Sequence, residues 1–549
     1  MPHDSQEFMG RSLFWEASFA RKLRVSSRRS RKAFSTRRLT NGLRPGFTMY
    51  NPGQSLRRIY ARVQGAQGLK LKDLFFLSLL TLGALLIHGY HPWVEDAEIY
   101  LPGVEKILQP QLFPFNAQFF EAHARLTLFP NLIAASVRLS HLPLEAVLFF
   151  WQLASIFLLL LACWQLISQC FTGPWARWAG VATVAALLTL PVAGTALYIM
   201  DQYINPRNLV AFAVVFSIAK VIEKKYFQAG LFLVFAAVIH PLMSVFALSF
   251  CVVLVGVKEF DRRFTSLACI LPFGITFGPS SQAYHQVALS HPFHYFLHWR
   301  WYELLGAIAP LALLWWFSRI ARSRRWQNLD QLCRALILYQ LVYLPAGVVL
   351  SISARFESLA RFQPMRSLYL LYLLFFLFTG GLLGEYVLKN RVWRWLALFA
   401  PLCAGMFVAQ RALFPASAHI EWPGAAPTNQ WVQAFAWIRS NTPRDAIFAL
   451  DPFYMNIEGE DENGFRAIAR RSALADAVKD SGAVSMFPPM AEEWLSQIQA
   501  QSGWKTFQLQ DFRRLKAAYG VNWVVLQPPN AHALDCPYEN TAALVCQIP

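Results

Sequence analysis

The sequence predicts an α-helical polytopic membrane protein of about 11 transmembrane helices with a small C-terminal α/β domain, and three observations carry that prediction. Hydrophobic residues make up 55% of the chain and charged residues 15%, a balance too apolar for a soluble protein of 549 residues. The apolar residues fall into long runs separated by short polar loops. Beyond residue 411 the pattern changes to short amphipathic and alternating stretches of the kind that build a small folded domain.

Residues 1–70 are rich in Arg and Ser, with neither apolar periodicity nor a signal-peptide core, and are expected to form a basic, disordered cytoplasmic tail. A transit peptide and translation starting at Met49 are the alternatives, and either would take the tail out of the functional argument. The transmembrane domain is expected over 71–411, with apolar runs at 74–90, 144–166, 178–197, 209–221, 227–239, 242–257, 264–277, 304–317, 332–350, 368–388 and 393–408. Several are shorter than the roughly 20 residues that a spanning helix needs, so an adjacent pair can be a re-entrant hairpin.

The net charge of +18 would suggest nucleic acid in a soluble protein; here it reads as topology, and no nucleic-acid partner is expected. With the tail in the cytoplasm and alternating helices, the inner loops hold Arg177, then Lys224 and Lys225, then Lys258, Arg262 and Arg263, then Arg319, Arg322, Arg324 and Arg325, then Lys389 and Arg391. Every second loop is basic, as the positive-inside rule requires. The first outer loop is then 91–143, whose second half is amphipathic and is expected to lie on the membrane surface. The same parity puts the domain at 412–549 outside the cytoplasmic membrane.

In that domain "NQWVQAFAWIRSNTPRDAIFALD" reads as helix, turn and strand, and "FRRLKAAYGVNWVVLQP" as helix, Gly520 cap and strand. Cys536 and Cys546 are spaced so that a hairpin can join them, which would suit an oxidising compartment. The other six cysteines lie in or beside apolar segments, where a thiol behaves as a small hydrophobe.

Polar residues of unusual kind collect on the predicted outer face. The first outer loop opens with "HPWVEDAEIYLPG", which puts Glu95, Asp96 and Glu98 at the mouth of the first helix. Together with one helix before the loop, surface helices within it, further spans and an outer α/β domain, the motif "VEDAEIYLP" resembles the GT-C superfamily of integral membrane glycosyltransferases. These enzymes use polyprenyl-phosphate or polyprenyl-diphosphate sugars. The resemblance covers most of the chain from Leu74 onward and implies a transfer of a hexose or pentose from a polyprenyl-phosphate-type donor to a glycan, lipid or protein acceptor.

In that superfamily the first outer loop carries acidic catalytic or metal-binding residues, and Glu95, Asp96 and Glu98 are the matching positions, with Asp96 the expected general base. Asp96 with Glu98 is the pair that would hold a divalent cation such as Mg²⁺ or Mn²⁺, which some members use and others do not. In an extended segment Asp96 and Glu98 would share a face, and in a helical one Glu95 and Glu98 would. Asp96 is also placed to cap the helix that follows.

Arg355, Arg361 and Arg366 put positive charge outside, against the rule the other loops obey, and are expected to hold the donor phosphate; pairing with Glu357 or contact with lipid headgroups are the alternatives. Asp201, Asn205 and Arg207 form a second outer cluster, either a sugar or acceptor corner or a polar loop closed by Pro206. His240 before Pro241 is a ligand for sugar or metal, or an interfacial histidine satisfied by backbone. The aromatic loop containing His291, His294 and His298 suits a cover over lipid or sugar, and "EGEDENG" at 458–464 reads as a solvated loop, since it lacks the alternation of a calcium loop.

Absence of Walker A, HExxH and CxxC motifs disfavours a nucleotide-driven pump, a zinc protease and a thioredoxin-type enzyme. Two rival readings stand beside the enzyme. One is a transporter or flippase for lipid-linked saccharides, of which the scarcity of ionisable residues inside the helices disfavours only the ion-coupled kind. The other is a catalytically inactive scaffold of the same shape.

Overall fold

The computed structural model describes residues 70–259, 281–352, 356–529 and 534–549. The basic tail, the apolar run at 264–277 and Arg355 lie outside the described residues.

Among the described residues seven helices are long and apolar enough to cross a membrane by length and composition: Leu71–His88, Leu144–Cys170, Pro241–Glu259, Trp301–Arg324, Gln327–Ile352, Pro364–Leu388 and Val392–Leu413. Labelled in chain order, the helices are α1 (Leu71–His88), α2 (Ala97–Leu108), α3 (Gln118–Arg125), α4 (Phe129–Ser140), α5 (Leu144–Cys170), α6 (Pro174–Ala186), α7 (Pro206–Ile222), α8 (Tyr226–Ile239) and α9 (Pro241–Glu259). They continue with α10 (Gln282–Leu289), α11 (Trp301–Arg324), α12 (Gln327–Ile352), α13 (Leu368–Leu383) and α14 (Val392–Leu413).

The shorter apolar runs among the described residues form shorter or interrupted helices. The run at 178–197 stops being helical at Ala186 and continues as irregular chain through Pro191, whose ring forbids a helical hydrogen bond. α7 is 17 residues long, starts on an Asn205 cap with Pro206 in its first turn, and is buried along nearly its whole length. It fills the centre of the bundle beside α5, α8 and α9. At the opposite extreme, 6% of the apolar window of α14 is buried against 83% for the span that includes α13, which makes α13 core and α14 rim.

Helix ends gather in two groups. At one end Lys258 donates to the last carbonyls of α7, Val221 O at 2.8 Å and Ile222 O at 3.0 Å, and Lys220 and Lys225 pair with Glu223. Arg322 meets Asp330 there at 3.2 Å, and Arg324 reaches the Tyr386 hydroxyl at 3.1 Å. At the other end lie the first loop and everything after α14. In the first loop, α3 and α4 bury Phe119, Phe120, Phe129 and Ile133 and leave Leu126, Leu128, Leu139 and Leu142 exposed, an apolar edge of the kind that lies along a bilayer surface.

The C-terminal region adds α15 (Gln430–Asn441), α16 (Phe465–Ala469), α17 (Lys479–Met486), α18 (Ala491–Ala500) and α19 (Leu509–Tyr519) around a five-stranded sheet. The strands are β1 (Ile447–Ala449), β2 (Ser472–Ala473), β3 (Trp523–Leu526), β4 (Asp535–Glu539) and β5 (Leu544–Gln547), in the order β2-β1-β3-β5-β4. β1 runs parallel to β2 and β3, while β5 is antiparallel to β3 and β4. Gly520 ends α19 in the left-handed conformation, and a disulfide joins Cys536 of β4 to Cys546 of β5.

This region is strapped to the first loop by backbone pairing. Tyr90 N donates to His419 O and Glu421 N to Tyr90 O, both at 3.0 Å; Gly464 N reaches Trp93 O and Glu95 N reaches Glu462 O, both at 2.8 Å. The "EGEDENG" segment is thus not the solvated loop its composition suggests. Glu460, Asp461 and Asn463 are buried because the segment runs antiparallel to residues 93–95, and Asp461 accepts the backbone N–H groups of Ala416 and Ser417 at 2.9 and 2.8 Å.

Candidate functional site

The site is built on the turn that enters α2. Glu95 takes a left-handed conformation with φ of 57°, uncommon for a side-chain-bearing residue, and its N–H is held by Glu462. Asp96 follows in a right-handed conformation at the N-cap position but makes no capping hydrogen bond; its own N–H donates to the Tyr203 hydroxyl at 3.2 Å. The change of hand between the two residues defeats both face-sharing expectations, because Glu95 and Asp96 turn to one side together while Glu98 turns into the protein.

Lys479, the first residue of α17, meets that pair. Its ammonium contacts the Glu95 carboxylate directly and lies 3.5 Å from Asp96 Oδ1. Lys479 is 13% exposed, whereas the Glu95 and Asp96 side chains are 34% and 36% exposed, so the carboxylates form the open rim and the cation its floor. Burial works against the Glu95 charge, but the Lys479 ammonium outweighs it and holds the carboxyl down at about 2.

Glu98, expected among the catalytic carboxylates, is 2% exposed and committed elsewhere. Its Oε2 accepts the backbone N–H groups of Arg466 and Ala467 at 2.7 and 3.2 Å, and its Oε1 lies 3.2 Å from Arg466 Nη1. Arg466 makes a second, two-pronged contact with Asp480 at 2.9 and 2.7 Å. Asp476 completes the knot by accepting the N–H groups of Val478 and Lys479 at 2.7 and 2.5 Å, which caps α17. Gly464 allows the approach, since a side-chain carbon there would stand 2.7 Å from Glu98 Oε2. The effect is to fix the first turn of α17, and with it Lys479, against the start of α2.

The second outer cluster forms the next wall. Asp201 accepts from Arg207 and, at 2.6 Å, from Asn205 Nδ2, while Asn205 Oδ1 accepts the Asn208 N–H at 2.9 Å as the cap of α7. Asn208 in turn holds the carbonyls of Asp201 and Tyr203. Asn205 is therefore a cap and a brace; Arg207 keeps a buried Nε with no partner. Burial raises the Asp201 carboxyl, with Arg207 pulling against it.

Arg366 stands at the start of the span that contains α13, with its Nε buried and without a hydrogen-bond partner, and no ion pair to its guanidinium is found among the described residues. Arg207, Asp96, Tyr100 and Asp201 all bear on it electrostatically. His240 and His123 border the same group. His240 Nδ1 accepts the Met243 N–H at 3.3 Å, and burial, then Arg366 and Arg207, holds its imidazole down at about 3. Burial likewise holds His123 down at about 4, with Asp96 drawing it back. Asp96, Asp201, Arg207, His240 and Arg366, separated by up to 270 positions in the chain, thus lie within electrostatic reach of common neighbours.

Arg361 does not join it. Its guanidinium stacks over Phe362 at 5.3 Å and bears on Tyr284 of α10, and no contact links it to Asp96 among the described residues. Glu357 of that segment meets His285 at 2.8 Å. In the aromatic loop His291 and His294 stack 5.4 Å apart and are buried, His298 packs against Tyr295, and Trp299 is buried against Gly194, leaving Leu297 and Trp301 as its exposed large apolar side chains.

The residues present do not fit a divalent cation at Asp96 and Glu98. Glu98 is committed to Arg466, and one oxygen each of Glu95 and Asp96 already faces an ammonium whose charge would repel a second cation. Among the described residues no group of three or more His, Cys, Asp or Glu side chains is arranged to hold a metal ion.

Sequence reasoning missed Lys479, Arg466, Tyr203, Tyr100 and His123. Lys479 and Arg466 carry no local signal, since "GFRAIARRSALADAVKD" shows only helix and turn residues and both partners sit in the first loop. Tyr100 and His123 were legible only as parts of surface helices, and Tyr203 as part of the polar loop before α7.

No family model matches the chain, and no curated protein does. Among solved structures, it is similar to the apo oligosaccharyltransferase of Archaeoglobus fulgidus, with 12% identity and a TM-score of 0.44 over 83% of this chain and 69% of that one. It is also similar to the oligosaccharyltransferase AglB from Archaeoglobus fulgidus in complex with an inhibitory peptide and a dolichol-phosphate, with 12% identity and a TM-score of 0.38 over 82% and 68% of the two chains. At this level of likeness neither a family nor a residue role is carried over from them.

Proposed function

We propose that the protein is an integral membrane glycosyltransferase that moves a sugar from a polyprenyl-phosphate-type donor to an acceptor on the outer side of the cytoplasmic membrane. The observation that supports this reading is that an uncapped and partly open carboxylate, Asp96, lies within electrostatic reach of a guanidinium, Arg366, that makes no ion pair among the described residues. A base and an anion-holding cation are what displacement of a phosphate from a sugar requires.

In this reading Asp96 takes the proton from the acceptor as its nucleophilic atom bonds to the anomeric carbon. The bond from that carbon to the phosphate oxygen breaks, the electron pair leaves with the phosphate, and Arg366 neutralises the charge with Arg207 beside it. Glu98 is a positioning residue through its hold on Arg466, and Asn205 keeps Asp201 and Arg207 in place. The exposed Leu297 and Trp301 contact lipid, and the basic loops at the far end face the cytoplasm.

The test is turnover by purified protein in nanodiscs with synthetic short-chain polyprenyl-phosphate hexoses and pentoses, read as release of polyprenyl phosphate. Asp96→Asn should lower that release by about 10²–10⁴-fold, the usual worth of a positioned base, without changing the melting temperature. Release that is equal in wild type and variant removes the base assignment. Movement of the donor across a vesicle bilayer with no release, in contrast, supports the transporter reading.

A further inference from the structure

The carboxylates at the mouth of α2 face a lysine where a metal ion would be expected. Lys479 contacts Glu95 and Asp96, and Glu462, whose carbonyl holds the Glu95 N–H, also bears on it electrostatically. An ammonium has three donors and no lone pair, so it neutralises and orients carboxylates but cannot itself ligate a metal ion. A divalent ion brought there would meet a like charge a few ångströms away. The position of Lys479 is also over-determined: its N–H is capped by Asp476, the next residue is gripped by Arg466, and Arg466 is anchored to Glu98 of α2 itself.

We propose that Lys479 is a resident counter-cation which replaces a divalent metal at this site, so that the C-terminal domain supplies a positioning residue for Asp96 and the site works metal-free. The proposal rests on the reading of Asp96 as part of the site, yet its decisive measurement does not require turnover. The ammonium keeps Glu95 and Asp96 together on the open side, so that the Asp96 carboxylate faces Lys479 and makes no capping hydrogen bond to its own helix terminus.

The experiment is Mn²⁺ binding to the purified full-length protein, followed by electron paramagnetic resonance, with release of polyprenyl phosphate measured in parallel with and without chelator. Wild type should bind no Mn²⁺ at this site and lose no turnover to chelator. Lys479→Gln should bind Mn²⁺ at least about tenfold more tightly than wild type, as removal of a neighbouring like charge predicts, and Glu95→Gln in that background should abolish the gain. Lys479→Arg, which keeps the charge, should behave as wild type toward Mn²⁺. Mn²⁺ bound by wild type and lost in Asp96→Asn overturns the proposal, and so does Lys479→Gln that folds yet binds no more Mn²⁺ than wild type. If no donor is turned over, the enzyme reading fails while the Mn²⁺ comparison still decides the role of Lys479.

Discussion

Two charged knots lie at either side of the α2 entry, and they differ in one respect. In the knot of Glu98, Arg466, Asp476 and Asp480, the members are nearly inaccessible and Arg466 is matched by Glu98 and Asp480. In the cluster of Glu95, Asp96, Lys479, Arg207 and Arg366, two carboxylates are about one-third exposed and two guanidinium Nε atoms have no partner. The first has the economy of a structural clamp and the second leaves capacity over for something outside the chain. Acidic residues three positions apart in one short motif therefore do different work, and what distinguishes them is whether their partners are saturated.

The comparison is broken most directly at Arg466. Arg466→Met strands three buried carboxylates, and a loss of about 3–5 kcal/mol is expected, seen as a large fall in melting temperature of the solubilised protein. An unchanged melting temperature would mean that the clamp is not structural. Arg366→Ala should act in the opposite manner. It removes a buried charge that makes no ion pair among the described residues, so the melting temperature should hold or rise, while the KM for a polyprenyl-phosphate sugar should increase by about 10–100-fold, the worth of a charge-assisted contact of roughly 1.5–3 kcal/mol.

Acid should then act on the site's neutral histidines. His123, His240 and His291 are held by burial at about 4, 3 and 4, below an unfolded value near 6.5. The unfolded chain binds more protons between those limits, so stability falls as pH drops from 6.5 toward 4. The Glu95–Lys479 pair does not contribute to that slope, because a carboxyl depressed to about 2 loses its stabilisation only between roughly pH 4.5 and 2. His240→Asn should flatten part of the decline in a melting-temperature profile against pH, and a profile unaltered by that change would count against a buried neutral imidazole. The smallest expected effect is at Asn205→Ala, about 1 kcal/mol for a lost cap, with a lesser drop in turnover as Asp201 and Arg207 loosen.

Much of this arrangement could be read before any coordinates. The alternation of basic loops, the acidic opening of the first outer loop, and the polar islands at 201–207 and 361–366 are local patterns, and the structure brings Asp96, Asp201, Arg207 and Arg366 to one cluster. The roles within the motif were not readable. They depend on the left-handed turn at Glu95 and on partners from the C-terminal region, and neither the hand of a single residue nor a pairing across hundreds of positions leaves a periodic trace. The burial of "EGEDENG" escaped for the same reason, because its composition is that of a surface loop and its neighbour is residues 93–95.

The strap between the first loop and the C-terminal region also sets a schedule for biosynthesis. Glu98 and Arg466 are 368 positions apart, so at about 5–20 residues per second the loop waits on the order of 20–70 s for its partner to be made. A ribosome that stalls before that point leaves a membrane-inserted chain whose acidic turn has no floor, and competence arrives only once nearly the whole polypeptide has emerged.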